Sequence, residues 1–269
     1  PLSHKDMPEP GSQGKDFPAE TLRAKNYEFT CFLAQPVLLF LERRILIMGF
    51  EETGRRYRLA EADLNFIAEI LCRDANSLSS VVRLLSDPDT NSSLLDHPKL
   101  FQSILERSGT LPITEFLYFY VLVRRVFRDH DLEDPDLADY VAGILADYSR
   151  EFRPNPGARS ALPFVVDLSR DLENAGSPYN RFFLAVKTGN FLVVATGLFH
   201  EHLKARSERR GAPGLGYYED FGAGVFREAA NHPLAREFFL EERLSQLGDS
   251  FGCSRRALNR LSEQFLIWN

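Results

Sequence analysis

TEFLYFYVLVRRVFRDHDLEDPDLADYVAGILADY, residues 114–148 of a 269-residue chain, decides the fold. Thr114 can cap a helix, and the fifteen residues after it, EFLYFYVLVRRVFRD, are apolar nearly all round. A helix with no polar face belongs in the interior, so this segment is expected to be the central buried helix. Asp134-Pro135 then supplies a cap and a first-turn proline. Leu137, Tyr140, Val141, Ile144, Leu145 and Tyr148 follow at steps of three and four, the period of an amphipathic helix. The acidic turn between the two helices, Asp129 to Asp136, only outwardly resembles a calcium loop. An EF-hand starting at Asp129 needs Gly at its sixth position and Glu at its twelfth, where Asp134 and Tyr140 stand. It reads as a solvated turn that supplies a cap.

The same periodicity extends toward the N-terminus. Asp96 and Pro98 start a helix with an apolar stripe of Leu100, Phe101, Ile104 and Leu105, closed by Gly109. Leu78, Val81, Val82 and Leu85 form a short helix that Asp87-Pro88 stops, because the residue before proline is pushed out of the α region. From residue 57, Leu59, Leu64, Ile67, Ile70 and Leu71 keep helical spacing, with Arg73 near the end. Residues 27–33 (YEFTCFL) have a strand-like composition. They run through Pro36 into VLLFLERRILIMGF, where periodicity does not separate strand from helix. Residues 1–18, polar and Pro-rich, are expected to be a disordered arm.

Toward the C-terminus, residues 151–161 (EFRPNPGARSA) read as a loop at which the chain could change subdomain. Helices are expected over 164–175 with Gly176 as cap, from Ser177-Pro178 to about Thr188-Gly189, and over 190–206. A basic loop, SERRGAPGLG, follows, then a helix over 217–230 despite Gly222 and Gly224. Each of those glycines costs about 1 kcal/mol against Ala, which close helix approach would explain. Two last helices are expected at about 234–249 and 254–267. The fold class is therefore all-α, a single multi-helix orthogonal bundle over 19–269 behind the arm.

Composition agrees. Hydrophobic residues make up 44% of the chain and charged residues 26%, ordinary values for a globular protein. Phe is abundant at 22 against one Trp and two Met, which reads as core filling. Cys31, Cys72 and Cys253 lie far apart, without a C-x-x-C pair, so neither a disulfide framework nor a thiolate zinc site is suggested. The net charge of −6 disfavours nucleic acid as a partner. The N-terminal segment lacks the pattern of a signal peptide, and no apolar run approaches the roughly 20 residues that span a bilayer. The expected location is the cytoplasm, with no membrane partner.

Few residues invite chemistry. His200-Glu201-His202 resembles a ligand cluster, but residues two apart on a helix face different ways. H-E-x-x-H and Glu-x-x-His are absent, as are Gly-rich phosphate loops and G-x-S-x-G, so no catalytic residue, metal or cofactor is assigned. Glu228 and His232 are four apart and could share a face, although Pro233 makes His232 a helix-end residue.

Two segments remain. In LSQLGDSFGCSRRALNRLSEQF, residues 244–265, Gly248 and Gly252 suit a helix-turn-helix with its turn at Gly252. Ser254 would cap the second helix, and Arg255, Arg256 and Arg260 would face phosphates or base edges. An ordinary helical hairpin gives the same spacing. In GLFHEHLKARSERRGAPGLGYYEDFG, residues 197–222, arginines stand beside tyrosines as carboxylate and phosphate sites require. A small-ligand pocket would use His200, Glu201, Arg210, Tyr217 and Tyr218, although the same side chains could simply pin a loop.

The patterns G-x-F-x-E-x-L-x-x-R, RRG and YY-x-x-x-G, together with EFLYFYVLVRRVF and DLADYVAGILADY, resemble a group of uncharacterised bacterial all-helical proteins over about residues 110–265. That resemblance implies a helical fold and a bacterial source, and carries over no functional residue. The chain is thus expected to be a binding or scaffold protein rather than an enzyme, with a homodimer as one form. A DNA-binding regulator using 244–265 and a ligand-binding enzyme with a pocket near 200–218 are the alternatives.

Overall fold

The helix starts follow the local rules. The computed structural model describes residues 59–71, 77–106, 111–151 and 165–266, and among them there are helices and connections but no strand. In chain order the helices are α1 (Glu61–Leu71), α2 (Ser77–Ser86), α3 (Pro88–Leu95), α4 (Pro98–Glu106), α5 (Glu115–Arg128) and α6 (Pro135–Glu151). They continue with α7 (Val165–Glu173), α8 (Pro178–Leu198), α9 (His200–Arg210), α10 (Leu215–Ala230), α11 (Pro233–Glu237) and α12 (Glu241–Gln264). The arm at 1–18, the segment 27–50 and most of the loop at 151–161 lie outside the described residues.

Thr114 caps α5 by accepting from the Leu117 N–H at 3.2 Å. Asp134 Oδ1 caps α6 by accepting from the N–H of Asp136 at 2.8 Å. Ser177 caps α8, accepting from the Asn180 N–H at 3.1 Å, with Pro178 in the first turn. Each places a side-chain oxygen on an otherwise orphaned amide. The cap of α5 is itself anchored. Asp63, fully buried on α1, accepts from the Thr114 N–H at 2.7 Å and from the Thr114 hydroxyl at 2.9 Å.

α5 is the central helix that its sequence requires. Ten of its fourteen residues are buried, among them Arg124. Arg124 holds Asp96 with one guanidinium edge, Nε donating to Oδ1 at 2.8 Å and Nη2 to Oδ2, and its Nη1 donates to the Glu133 carbonyl at 2.6 Å. The charge is thus paired and hydrogen-bonded, as a buried guanidinium must be. The acidic turn after α5 serves α12. Asp134 Oδ2 accepts from Gln246 Nε2 at 2.6 Å, Asp136 lies 3.6 Å from Arg243, and Asp129 lies 3.5 Å from Arg260. What reads in sequence as a solvated turn is one side of a helix-docking surface.

α12 packs on α5, α6, α8, α10 and α11, and one hydrophobic cluster runs from α1 to α12. With α8 and α10 it forms a three-helix sheaf in which α10 runs antiparallel to the other two. Arg181 meets Glu228 at one end of the sheaf, and Glu219 meets Arg255 at the other. Glycines let the backbones close up. A methyl at Gly222 would stand 2.5 Å from the Phe251 ring, and one at Gly189 would stand 2.6 Å from Phe226. Close approach therefore accounts for Gly222. It does not account for Gly224, which is exposed with open space around it.

The glycines are not the helix breaks that their sequence suggests. α8 runs through Gly189 and ends at Phe199, where φ is −117° and ψ 29°. There Asn259 Nδ2 takes the carbonyls of Thr196 at 2.8 Å and Gly197 at 2.6 Å, the acceptors that further helical amides would need. α9 extends through the basic residues to Arg210 and stops at Gly211, φ +61°. By length and composition α8 is apolar enough to cross a membrane, but 67% of its apolar window is buried within the protein.

Candidate functional site

The sheaf has two chemically different ends. One end is polar. His200 opens α9 with Nε2 3.2 Å from Glu263 and 3.4 Å from Glu201, while its Nδ1 is buried without a partner. Burial holds His202 below the usual imidazole range. The two histidines face different surroundings, as their spacing requires. Tyr217 is 53% exposed and Tyr218 only 1%, so the paired tyrosines part. The Tyr218 hydroxyl is buried without a partner, and burial pushes its pKa up against the opposing field of Arg206. His200 Nε2 pairs with carboxylates, so the expected pocket is not closed by hydrogen bonds between His200 and the tyrosines. The side chain of Arg210 lies outside the described ones.

The turn expected at Gly252 does not form. Residues 244–264 lie on α12, whose two helical segments meet in a kink at Ser250, where φ is −106° and ψ 16°. The Ser250 hydroxyl donates to the Gln246 carbonyl at 2.6 Å, a back-bond that bends helices, and no turn forms at Gly252. The three arginines also differ. Arg255 is held by Glu219 and donates to Asn259 Oδ1 at 2.6 Å. Arg260 donates to Gln264 at 3.1 Å. Arg256 is exposed, 3.0 Å from Cys253 Sγ. Arg255 thus belongs to the chain Glu219–Arg255–Asn259 that ends α8, rather than to a surface read-out.

The other end is aromatic. Phe182 and Phe183 on α8 meet Phe238 at ring separations of 6.2 and 5.7 Å. Tyr179 lies 4.7 Å from Phe183, and His232 stacks on Phe182 at 5.2 Å. His232 caps α11, its Nδ1 accepting from the Leu234 N–H at 3.2 Å. It does not pair with Glu228, which Arg181 holds at 2.5 Å.

Phe239 ends α11 at φ +53°. The Leu240 N–H reaches back to the Ala235 carbonyl at 2.7 Å, so Phe239 occupies the left-handed position that glycine usually takes after a helix. A bulky residue there is strained by roughly 1–2 kcal/mol. Phe239 is nevertheless 56% exposed, and Tyr179 is 48% exposed. The rim carries Arg181–Glu228 and, at 2.8 Å, Arg236–Glu241. Sequence reasoning assigns the phenylalanines to the core. The signal it passes over is the paired aromatics at helix ends in PYNRFF and REFFL.

Among the described residues, no group of three His, Cys, Asp or Glu side chains could hold a metal ion. No protein-family model, curated protein or solved structure matches the chain.

Proposed function

We propose that the protein is a binding protein that works through the aromatic end of the α8–α10–α12 sheaf, with a second copy of the same chain as its partner. The observation that carries this reading is Phe239, held at φ +53° and left 56% exposed. Strain of this kind persists where the surroundings enforce it and tends to mark functional positions. Here its visible effect is to keep a phenyl ring in water at the C-terminal end of α11, next in the chain to Phe238, which meets Phe183 and through it Tyr179. Protein interfaces are enriched in exposed aromatics with a polar rim around them.

The rim favours self-association. Its two ion pairs contribute equal numbers of positive and negative groups, and all four side chains are at least 44% exposed. Two copies of a chain carrying −6 repel at long range, so a charge-balanced patch is where they can approach with least cost. A two-fold contact also needs a patch complementary to itself, which mixed signs provide. The setting we propose is the bacterial cytoplasm, on the resemblance over 110–265 and on the unpaired spacing of the cysteines.

Sedimentation velocity over a concentration series tests the reading. The wild-type chain is expected to be a dimer and the Tyr179→Ser/Phe239→Gly double variant a monomer. A wild-type chain that stays monomeric throughout overturns it. A second reading, a small polar ligand at the other end, is favoured by the unpartnered Tyr218 hydroxyl. It expects extra mass under native mass spectrometry that is lost on denaturation.

A further inference from the structure

Two helices in this protein begin with the same dipeptide. His97-Pro98 opens α4 and His232-Pro233 opens α11. In both, histidine Nδ1 accepts from the amide two residues on, Lys99 at 3.2 Å and Leu234 at 3.2 Å. Proline has no N–H to offer, so the first amide available to the cap is the one after it. An accepting Nδ1 needs its lone pair, so the ring must be neutral with its proton on Nε2. Protonation converts that acceptor into a donor facing another donor, at the amide end of a helix that already repels a cation.

We propose that His232 is a pH-sensitive latch on the aromatic face: its neutral ring holds α11, and with it Phe238 and Phe239, in the binding arrangement, and protonation releases them. The inference rests on the self-association reading above. His232 joins three parts of that face. It caps α11, stacks on Phe182, and follows α10 directly, its own N–H donating to the Ala229 carbonyl at 3.1 Å. α11 is only five residues long, so one cap is a large part of what defines it. Phe239 is held at its strained φ by the end of that same short helix.

Glu237 apart, the charged groups beside His232 on these elements are engaged with one another. Glu228 on α10 is held by Arg181 on α8, which also feels Glu173. Arg236 on α11 is held by Glu241 on α12. Glu237, also on α11, is exposed. The carbonyl end of α10 favours a cation and the amide end of α11 opposes one. The hydrogen bond tips the balance, because only the neutral ring can make it. The sign follows. The released form binds one proton more than the latched form, so raising the pH favours the latch and acid opens it.

The test uses the 269-residue chain at about pH 7.5 and about pH 5.5. Self-association of the wild-type chain is expected to weaken about fivefold on acidification, the usual worth of one helix cap. His232→Asn keeps a strong capping side chain without a titrating group, so its constants at the two pH values should agree within about twofold. In the wild type, the Leu234 amide resonance should shift along the same curve as the His232 ring. A Leu234 amide that ignores that titration overturns the latch, as does an Asn variant that weakens as much as the wild type. If the chain does not self-associate at either pH, the functional reading fails and the Leu234 amide decides the latch by itself.

Discussion

Phe239 and Asp63 are opposite uses of a single residue. Asp63 is spent wholly on stability. It is fully buried and accepts three hydrogen bonds, from Thr114 N–H, Thr114 hydroxyl and, at 3.0 Å, the Ala60 N–H. Removing the carboxylate leaves those donors in the interior unpaired. Asp63→Ala should lower unfolding free energy by about 2–3 kcal/mol in urea melts, without changing the self-association of the folded protein. Phe239 works against stability. Glycine in its left-handed position relieves the Cβ clash, so Phe239→Gly should stabilise the monomer by about 1 kcal/mol while abolishing the dimer. A stabilised variant that still dimerises would show the exposed ring to be incidental.

At the scale of elements, α10 separates two reasons for a glycine. At Gly222 a methyl would strike the Phe251 ring at 2.5 Å, whereas at Gly224 it would meet nothing within 4 Å. Gly222→Ala should therefore destabilise by about 1–3 kcal/mol through overpacking, and Gly224→Ala should stabilise by about 0.5–1 kcal/mol through helix propensity. Paired thermal melts read the opposite signs. The break between α8 and α9 has a different origin. Asn259 on α12 draws the Thr196 and Gly197 carbonyls in the last turn of α8 aside and is itself held by Arg255. An Asn259→Leu change frees those carbonyls in a partly buried site, with an expected loss of about 1–3 kcal/mol.

Over the whole molecule, α12 joins the α5–α6 pair to the sheaf, through the Asp134–Gln246 bond on one side and the Glu219–Arg255 pair on the other. A core continuous from α1 to α12 predicts one cooperative unfolding transition, with far- and near-ultraviolet circular dichroism melting together. Two separated transitions would contradict it. The sequence by itself determined what depends on neighbours within one helical turn. Those features are the helical class, the caps at Thr114, Asp134 and Ser177, and the burial of most of α5. Propensity, capping and the 3.6-residue period act between residues at most four apart, so they can be read from the string. Tertiary structure decided where long helices break and which residues share a surface. Gly189 and Gly252 read as stops because a glycine lowers local helix preference. Packing against Phe226 keeps the helix whole at Gly189, and Ser250 bends α12 two residues before Gly252. At the polar end, Arg255 is taken up by Glu219 and Asn259, partners that lie on another helix or bind a third and that no local pattern announces. The aromatic end was not legible either, because Tyr179 and Phe183 on α8 lie about fifty residues from His232 and Phe238 at the two ends of α11. Only the antiparallel run of α8 and α10, with the corner at α11, brings those rings together.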